Sequence, residues 1–208
     1  VLNWPYSGDG EILSRLPSGA QVYFCGPAAP EGISRRLRSV NLWADEQLLA
    51  ENAWLTAEGA ISAAMAAGDA SLRECACLVV GWGRIGRALT GMLRGLGARV
   101  IVAARREESR LEAGEGSVPL EGLAQALPKA DVIFNTVPAL VLPRERLALA
   151  RPDALLLELA SAPYGFDLLL ARKLGLRAEL ESGIPGRYCP RTAAKILWRY
   201  IEREVLRK

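Results

Sequence analysis

The residues best suited to bind a ligand form a glycine-rich segment, Gly81-Trp82-Gly83-Arg84-Ile85-Gly86. It follows an apolar run at 75–80 that predicts a strand, and it opens a pattern of 3.6-residue period that predicts a helix. In that context Gly81 permits a tight turn, Gly83 lets backbone approach a pyrophosphate, and Gly86 permits close helix–strand packing. The helix N-terminus offers unpaired N–H groups and partial positive charge to the anion. The segment therefore predicts a dinucleotide site; the alternative is a glycine-rich turn without a ligand.

The next predicted strand ends in Ala104-Arg105-Arg106, where an NAD site carries an acidic residue that binds the ribose 2′-hydroxyl. Two guanidinium groups without a carboxylate suit a 2′-phosphate, so the sequence favours NADP over NAD. Glu107 and Glu108 follow, and they either pair with the arginines or weaken the phosphate site. The alternative interpretation is a solvated charge cluster at the start of a helix.

Three further loops follow later predicted strands, at 135–138, 158–163 and 182–186. Open α/β sheets bind ligands at the carboxyl ends of their strands, so all three loops are expected at the same edge. The first is typical of a loop beside the nicotinamide ribose, although an ordinary strand-ending turn has the same pattern. The residues predicted to contact the cofactor are Gly81, Trp82, Gly83, Arg84, Ile85, Gly86, Arg105, Arg106, Asn135, Thr136, Val137, Pro138, Ala160 and Ser161.

Alternating strand and helix patterns position these loops. Strands are predicted at 75–80, 100–104, 118–120, 132–136, 154–159 and 176–180, with helices around 85–96, 120–127, 144–149, 167–174 and 192–206. This order predicts an α/β fold with a Rossmann-type doubly wound parallel sheet. The first third predicts a second, partial α/β domain, with strands at 1–4, 21–25 and 40–43, a loop suited to an anion at 7–10, and helices at 32–38 and 48–66. Arg35, Arg36 and Arg38 are interpreted as a solvated helix face, the alternative being an anion site.

The predicted domains are a partial N-terminal domain with its linking helix (1–66), an NADP-binding domain (67–188) and a C-terminal helix that packs back on the junction (189–208). The chain has 208 residues, enough for one large or two small domains, and it begins with Val1, which suggests a missing upstream portion.

Composition excludes several classes of protein. The absence of histidine excludes His-containing zinc sites, Ser-His-Asp and Cys-His hydrolases and histidine-dependent dehydrogenases, and no metal site is expected. A net charge of +3 does not argue for nucleic acid binding. The four cysteines form no CxxC pair and predict reduced thiols of a cytosolic protein. No apolar run predicts a membrane helix or a signal peptide.

Taken together, these motifs resemble the family of dipicolinate synthase A subunits, the NADP-binding subunits of the dipicolinic acid pathway in spore-forming bacteria. The resemblance covers 52–206 well and the first fifty residues more faintly. Two positions depart from the family pattern: Ala162 stands where the family has an arginine, and Arg106-Glu107 stand where it has small serines. The segments that carry the resemblance are Thr56-Ala57-Glu58-Gly59, Gly81 to Gly86, Ala104-Arg105, Asn135 to Pro138, Leu159-Ala160-Ser161, Gly183 to Gly186 and Pro190 to Ala193.

The resemblance implies an NADP-dependent oxidation of 4-hydroxy-tetrahydrodipicolinate, or its dehydrated form, to dipicolinate, driven by aromatisation of the ring. It also implies a partner, the B subunit of dipicolinate synthase, and a cytoplasmic location in the mother cell of a sporulating bacterium; a homo-oligomer is possible. Glu58 is the candidate general base and Ser161 the second catalytic candidate, although Glu58 also fits a capping carboxylate at a helix N-terminus. The residues expected to hold the dicarboxylate substrate are Thr56, Gly183, Pro185, Gly186 and Arg191.

Two alternatives remain open. Another NADP-dependent dehydrogenase, of the shikimate-dehydrogenase-like class, fits the Asn-Thr-x-Pro loop and the two arginines, Arg105 and Arg106, that follow the second predicted strand of the sheet. That class uses a lysine in its N-terminal domain, however, and this chain has no lysine before Lys129. The other alternative is a non-catalytic protein that binds NADP without turnover.

Overall fold

The computed structural model describes residues 13–26, 33 and 35–206. The chain divides into two compact units, residues 1–51 with 191–208 and residues 52–190. The domain boundaries predicted after residues 66 and 188 stay predictions. The described strands are β1 (Gln21–Phe24), β2 (Arg38–Asn41), β3 (Ala76–Val80), β4 (Arg99–Ala103), β5 (Ser117–Val118), β6 (Val132–Asn135), β7 (Leu155–Glu158) and β8 (Arg177–Leu180). The described helices are α1 (Glu46–Ala67), α2 (Arg84–Gly95), α3 (Glu107–Ala113), α4 (Leu123–Ala126), α5 (Arg144–Leu147), α6 (Leu168–Lys173), α7 (Ile184–Tyr188) and α8 (Pro190–Leu206), with 3-10 turns at Leu42–Ala44, Leu120–Gly122 and Leu127–Lys129.

The unit of residues 52–190 is built on a six-stranded sheet in the order β5-β4-β3-β6-β7-β8. Every neighbouring pair of these strands is parallel. The chain starts in the middle of the sheet, extends to one edge and then returns to the other side of β3, which is the order of a doubly wound dinucleotide-binding sheet. The predicted Rossmann-type α/β fold is therefore confirmed.

The apolar run of β3 is buried on both faces of this sheet. Cys77 and Val79 face one hydrophobic cluster, Leu78 and Val80 face the other, and all four are 0% exposed. Helices cover both faces of a parallel sheet, so its central strands carry continuous apolar residues rather than alternating ones. The buried residues of α2, such as Leu89, join the Cys77 cluster, and this packing sets the position of the helix that begins at the glycine turn.

The amino edge of the sheet is held by one carboxylate. Asp131 Oδ2 accepts the N–H of Ala76 at 2.6 Å, and Asp131 Oδ1 accepts Nη1 of Arg151 at 2.6 Å. Asp131 directly precedes β6, and Ala76 begins the neighbouring strand β3. The carboxylate therefore fixes the register of the two central strands at the edge opposite the loops.

The smaller unit contains a parallel pair, β1 and β2, and the helix α8. Its parallel sheet confirms a second, small α/β element at the N-terminal side. The predicted helix at 32–38 is wrong in the described residues, because Arg38 begins β2 and Arg35 to Leu37 form a turn and bend. The strand predicted at 40–43 lies at Arg38–Asn41 and gives way to a 3-10 turn.

Arg36 is not on a solvated helix face either. Its guanidinium donates to the backbone oxygens of Leu13, Ser14 and Leu16, so the charge satisfies carbonyls at the end of a helical turn. The predicted strand at 1–4 and anion-binding loop at 7–10 lie outside the described residues.

All four cysteines are free thiols in the structure. Cys75 and Cys77 are 8% and 0% exposed, as their positions in an apolar run predict. Burial raises the pKa of the Cys77 thiol to about 12, because the low-dielectric interior disfavours the thiolate. Cys77 is thus an inert core residue.

None of the described helices has both the length and the apolar character needed to cross a membrane. Across residues 13–26, 33 and 35–206, no group of three or more His, Cys, Asp or Glu side chains is arranged to hold a metal ion.

Candidate functional site: the carboxyl edge of the parallel sheet

The glycine turn links β3 to α2, and its three glycines have different surroundings. Gly81 has a φ of +108°, and a Cβ built there meets Thr136 Oγ1 and lies 2.9 Å from Val137 Cγ2. A Cβ built on Gly86 meets the carbonyl group of Gly81, with its carbon at 3.0 Å. A Cβ built on Gly83 has no atom of residues 13–26, 33 and 35–206 within 4 Å. Gly81 and Gly86 are therefore required by packing, whereas Gly83 faces open space.

The N-terminus of α2 lacks a side-chain cap. Gly83 is its N-cap residue and provides no side-chain oxygen, and the first intrahelical bond runs from Arg87 N to Gly83 O at 3.0 Å. The N–H groups of the first turn therefore have no carbonyl acceptor within the helix. Open space at Gly83 beside a helix N-terminus whose N-cap residue makes no side-chain hydrogen bond fits the pyrophosphate of a dinucleotide.

Trp82 lies within the turn and is half-buried. The guanidinium of Arg87 lies 5.6 Å from the centroid of its ring, and Arg87 also pairs with Glu112 of α3. The indole Nε1 is buried and finds no hydrogen-bond partner among the described residues. Ile85, which follows in α2, packs against the Cys77 cluster. Ile85 thus holds the first turn of α2 against the core, and the contact with Arg87 links Trp82 to the same helix.

Arg105 and Arg106 follow β4 at the carboxyl edge and are exposed. Among the described residues, no carboxylate forms an ion pair with either guanidinium. Glu107 and Glu108 occupy the first turn of α3, where negative charge is favourable to the helix dipole. Pairing of these glutamates with the two arginines, one of the options left open by the sequence, is therefore not observed.

The loop after β6 contacts the glycine turn. Thr136 Oγ1 donates to Val80 O at 2.9 Å, and Thr136 N donates to the same oxygen at 2.9 Å. Val137 is half-buried against Gly81, and Pro138 is exposed. This contact brings together two of the loops that the sequence predicted at one edge.

Asn135 is 0% exposed, so its side chain is not available to a ligand. Its Nδ2 donates to Glu158 Oε1 at 2.6 Å and to Val137 O at 3.0 Å, and its Oδ1 accepts Val137 N at 3.3 Å. Asn135 therefore orders the loop through hydrogen bonds within the protein, and its backbone oxygen is also occupied, because it accepts Leu159 N at 2.9 Å.

Glu158 ends β7 and begins the predicted loop 158–163, although its side chain is not among the residues predicted for the site. It is 2% exposed, and its carboxylate also accepts the N–H groups of Ala160 at 2.9 Å and Gly165 at 2.8 Å. Burial raises the pKa of Glu158, and the hydrogen bonds from Asn135 and from backbone N–H groups oppose that rise. The sequence feature that indicates a role for Glu158 is the position of a carboxylate at the end of the apolar strand Leu155–Glu158.

The loop held by Glu158 includes two predicted site residues. Ala160 is 8% exposed, whereas Ser161 is exposed. The peptide between Ala162 and Pro163 is cis, and Tyr164 has a φ of +63°. Gly165 O accepts the N–H groups of Val141 and Leu142, which ties this loop to the one that follows β6.

The carboxyl end of β8 and the second half of α1 form the remaining part of the edge. Gly183, at a φ of +61°, precedes α7, and Cβ atoms built on Gly183 and Gly186 meet nothing within 4 Å. Gly59 of α1 fits closely against α7, because a Cβ there meets Ile184 and lies 3.0 Å from Tyr188 Cδ2. Pro185 is half-buried in the first turn of α7.

Glu58 lies in the middle of α1, so the interpretation as an N-terminal capping carboxylate is wrong. It is exposed, and Cys189 Sγ donates to its Oε2 at 3.6 Å. Burial and the nearby carboxylate raise the pKa of Cys189.

Thr56 is 6% exposed and donates to Asn52 O at 2.8 Å, which occupies its hydroxyl hydrogen. Arg191 is an exposed residue of α8 and belongs to the smaller unit.

Comparison with known proteins shows which family the chain resembles in sequence. The sequence model of the D-isomer specific 2-hydroxyacid dehydrogenase, NAD binding domain, matches residues 37–164. The dipicolinate synthase A subunit of Bacillus subtilis (strain 168) is 34% identical over 161 residues, which is 76% of this chain and 54% of that protein. The chain thus spans about half the length of this curated relative.

Two solved structures have the same arrangement. The dipicolinate synthase A subunit from Bacillus halodurans has a TM-score of 0.84 at 29% identity, over 94% of this chain and 70% of that chain. Its counterpart from Bacillus subtilis has a TM-score of 0.84 at 26% identity, over 98% of this chain and 72% of that one. The resemblance stated from the loops is confirmed by these matches.

Proposed function

The chain belongs to the family of the NAD-binding domain of D-isomer specific 2-hydroxyacid dehydrogenases, and we propose that it acts as the A subunit of a dipicolinate synthase. The observation that carries this proposal is the close structural match to dipicolinate synthase A subunits over nearly the whole chain. In the proposed reaction, dehydrated 4-hydroxy-tetrahydrodipicolinate loses two ring hydrogens to become dipicolinate. One leaves as a hydride, which NADP⁺ accepts to become NADPH, and the other leaves as a proton.

The proposed cofactor is NADP rather than NAD. Arg105 and Arg106 present exposed guanidinium groups at the end of β4, and no carboxylate precedes them there. A guanidinium binds a phosphate dianion by charge-assisted hydrogen bonds, and each such bond contributes about 1.5–3 kcal/mol. The pyrophosphate is assigned to the N-terminus of α2, beside the open side of Gly83.

The substrate is assigned to the loops after β7 and β8. Ser161 is an exposed hydroxyl on the first loop, and Gly183 and Gly186 leave open space on the second. Glu58 is the proposed proton acceptor: it is an exposed carboxylate, and it is linked through Cys189 to the end of α7. Thr56, Pro185 and the exposed Arg191 remain proposed substrate contacts, and the B subunit of the synthase is the proposed partner.

The first experiment is a titration of the purified chain with NADP⁺ and NAD⁺, monitored by tryptophan fluorescence and by calorimetry. We expect tighter binding of NADP⁺, and we expect Arg105→Ala to weaken NADP⁺ by at least tenfold while NAD⁺ changes little. Arg99→Ala is the matched control. It removes the same charge at the other end of β4, about 20 Å away at roughly 3.3 Å per residue.

Each other outcome has a defined meaning. Tighter binding of NAD⁺ contradicts the NADP assignment, and binding of neither nucleotide contradicts the dinucleotide site. If NADP⁺ binds, turnover is then assayed with the proposed substrate, with and without the B subunit. Tight binding without turnover in both cases favours a protein that binds the nucleotide only, and oxidation of a shikimate-like substrate favours the shikimate-dehydrogenase-like class.

A further inference from the structure

Two buried carboxylates lie at neighbouring strand ends of the carboxyl edge. Glu158 ends β7 and is 2% exposed, and Glu181 follows β8 and is 6% exposed. The two are adjacent, since Glu181 N donates to Glu158 O at 2.9 Å. Glu181 is paired with Arg187, whose Nη1 lies 2.7 Å from Oε2. Within the described part of the chain, no cation pairs with Glu158.

The partners of Glu158 fit the ionised form. Oε1 accepts Asn135 Nδ2 and Ala160 N, and Oε2 accepts Gly165 N, so donors face both oxygens. Each of these hydrogen bonds is stronger when the accepting carboxyl group is ionised. Asn135 cannot turn its oxygen toward Glu158 instead, because Val137 N and Val137 O fix both ends of the amide. The hydrogen bonds to this carboxylate therefore favour its ionised form, and no cation of the described residues pairs with it.

The Glu158 carboxylate lies on the half of the sheet to which the nicotinamide part of a dinucleotide is expected to bind. A doubly wound sheet binds the two halves of a dinucleotide on its two halves, and β6, β7 and β8 form the half opposite to β4 and its arginines. The nicotinamide half of the cofactor therefore belongs to the edge that Glu158 organises. The oxidised nicotinamide carries one more positive charge than the reduced one.

We propose that the uncompensated carboxylate of Glu158 makes this site prefer the oxidised cofactor over the reduced one. This inference rests on the proposed function only in requiring a nicotinamide dinucleotide, and it holds for NADP and NAD alike. Charges separated by several ångströms in a partly buried site interact strongly enough to change a dissociation constant on the order of tenfold. A site with this preference binds the oxidised cofactor even when the reduced cofactor, which the reaction produces, competes for the same site.

The same preference has a thermodynamic consequence. Tighter binding of the oxidised form lowers the reduction potential of the bound couple, by about 30 mV for each tenfold ratio of dissociation constants in a two-electron couple. Loss of the Glu158 charge is therefore expected to raise the potential of the bound cofactor by about that amount.

The test is a pair of binding measurements on the full chain, with NADP⁺ and NADPH as probes. Glu158→Gln removes the charge in the same volume, and Glu158→Asp keeps the charge but shortens its reach to the loop. Glu74→Gln, which precedes β3 at the amino edge, is the control for loss of one exposed negative charge. Calorimetry gives both dissociation constants, and thermal unfolding confirms that each variant is folded.

We expect Glu158→Gln to reduce the preference for NADP⁺ over NADPH by about tenfold, whereas Glu158→Asp and Glu74→Gln keep the wild-type ratio. A purely structural role would weaken both forms by the same factor, and an unchanged ratio in Glu158→Gln overturns the proposal. If Glu158→Gln does not fold, the wild-type ratio decides. A wild-type chain that binds NADPH as tightly as NADP⁺, or more tightly, overturns the proposal.

Failure of this inference is distinguishable from failure of the proposed function. A wild-type chain that binds neither NADP⁺ nor NADPH contradicts the dinucleotide site itself. A chain that binds NAD⁺ and NADH instead contradicts the NADP assignment, and the same ratio is then measured with that pair. A chain that binds both forms with a ratio insensitive to Glu158 keeps its cofactor site and loses only the electrostatic preference.

Discussion

Gly83, Gly86 and Gly91, at the N-cap and within α2, allow effects on packing and on ligand binding to be separated by the addition of single methyl groups. In Gly83→Ala the added Cβ meets nothing within 4 Å of the protein, and the φ of −85° at this position suits alanine. In Gly86→Ala the added Cβ meets the carbonyl group of Gly81, which belongs to the backbone and cannot move aside alone. Gly91 is exposed in the middle of α2 with nothing within 4 Å of its Cβ, so Gly91→Ala is the control.

The expected stabilities follow from these contacts. Gly83→Ala is expected to change the free energy of unfolding by less than about 1 kcal/mol, because the smaller conformational freedom of alanine in the unfolded chain is opposed by the preference for glycine over alanine at an N-cap. Gly91→Ala raises it by about 0.5–1 kcal/mol, the usual gain of alanine over glycine in a helix. Gly86→Ala lowers it by about 1–3 kcal/mol through overpacking. At roughly 2–4 °C per kcal/mol for a chain of this size, these shifts are measurable in Tm.

The expected affinities follow a different order. The open side of Gly83 is where a pyrophosphate approaches the N–H groups of α2, so a methyl group there displaces the anion from those donors. Loss of one charge-assisted hydrogen bond to the pyrophosphate, which contributes about 1.5–3 kcal/mol, weakens dinucleotide binding by at least tenfold. Gly91→Ala leaves binding unchanged. Gly83→Ala is thus expected to be stable but poor in binding, and Gly86→Ala to be impaired in both.

Calorimetric titration with NADP⁺ and thermal unfolding of the four proteins test this order. Wild-type affinity in Gly83→Ala refutes the reasoning, because the open side of that glycine then cannot be the pyrophosphate site. A large loss of stability in Gly83→Ala would refute the packing argument instead.

Three other predictions concern stability. Asp131→Ala removes the acceptor of a strand N–H and of a guanidinium, and is expected to cost about 1–3 kcal/mol in urea denaturation; Asp153→Ala, at a carboxylate 67% exposed, is expected to change less than about 1 kcal/mol. Gly59→Ala is expected to cost about 1–3 kcal/mol, since its Cβ lies 3.0 Å from Tyr188 Cδ2, and an unchanged Tm would contradict the close fit of α1 on α7. The raised pKa of Cys77, about 12, means that the folded chain retains a proton that the unfolded chain loses above about pH 8.5. The free energy of unfolding is therefore expected to fall by about 1.4 kcal/mol per pH unit above that pH relative to Cys77→Ala, and equal pH profiles of the two proteins would exclude this effect.

The smaller unit shows where local patterns mislead. Residues 32–38 have a helical composition, yet Arg38 pairs with Gln21 in a parallel strand and Arg36 donates to carbonyls twenty or more residues away. The side chain of Arg36 satisfies those carbonyls only because the chain returns to them. A helical propensity of a few tenths of a kcal/mol per residue is smaller than such tertiary contacts.

The dinucleotide-binding unit was predictable because its signals are local. A strand buried on both faces is a continuous apolar run, an amphipathic helix repeats at 3.6 residues, and a turn such as that at Gly81 needs a residue that accepts positive φ. Each signal is contained in a few consecutive residues. Alternating strands and helices then permit few topologies, and the parallel order of the sheet follows from them.

The properties of the site depend instead on contacts between distant residues. Glu158 begins a predicted strand-ending loop, but it becomes a buried carboxylate only because Asn135, 23 residues earlier, and the loop that returns at Gly165 enclose it. Glu58 is mid-helix rather than at a helix end, and its neighbour Cys189 is 131 residues away. Local propensities are properties of short segments, whereas burial and hydrogen-bond partners are set by which segments the fold brings together, and those decide the charge and the accessibility of each group.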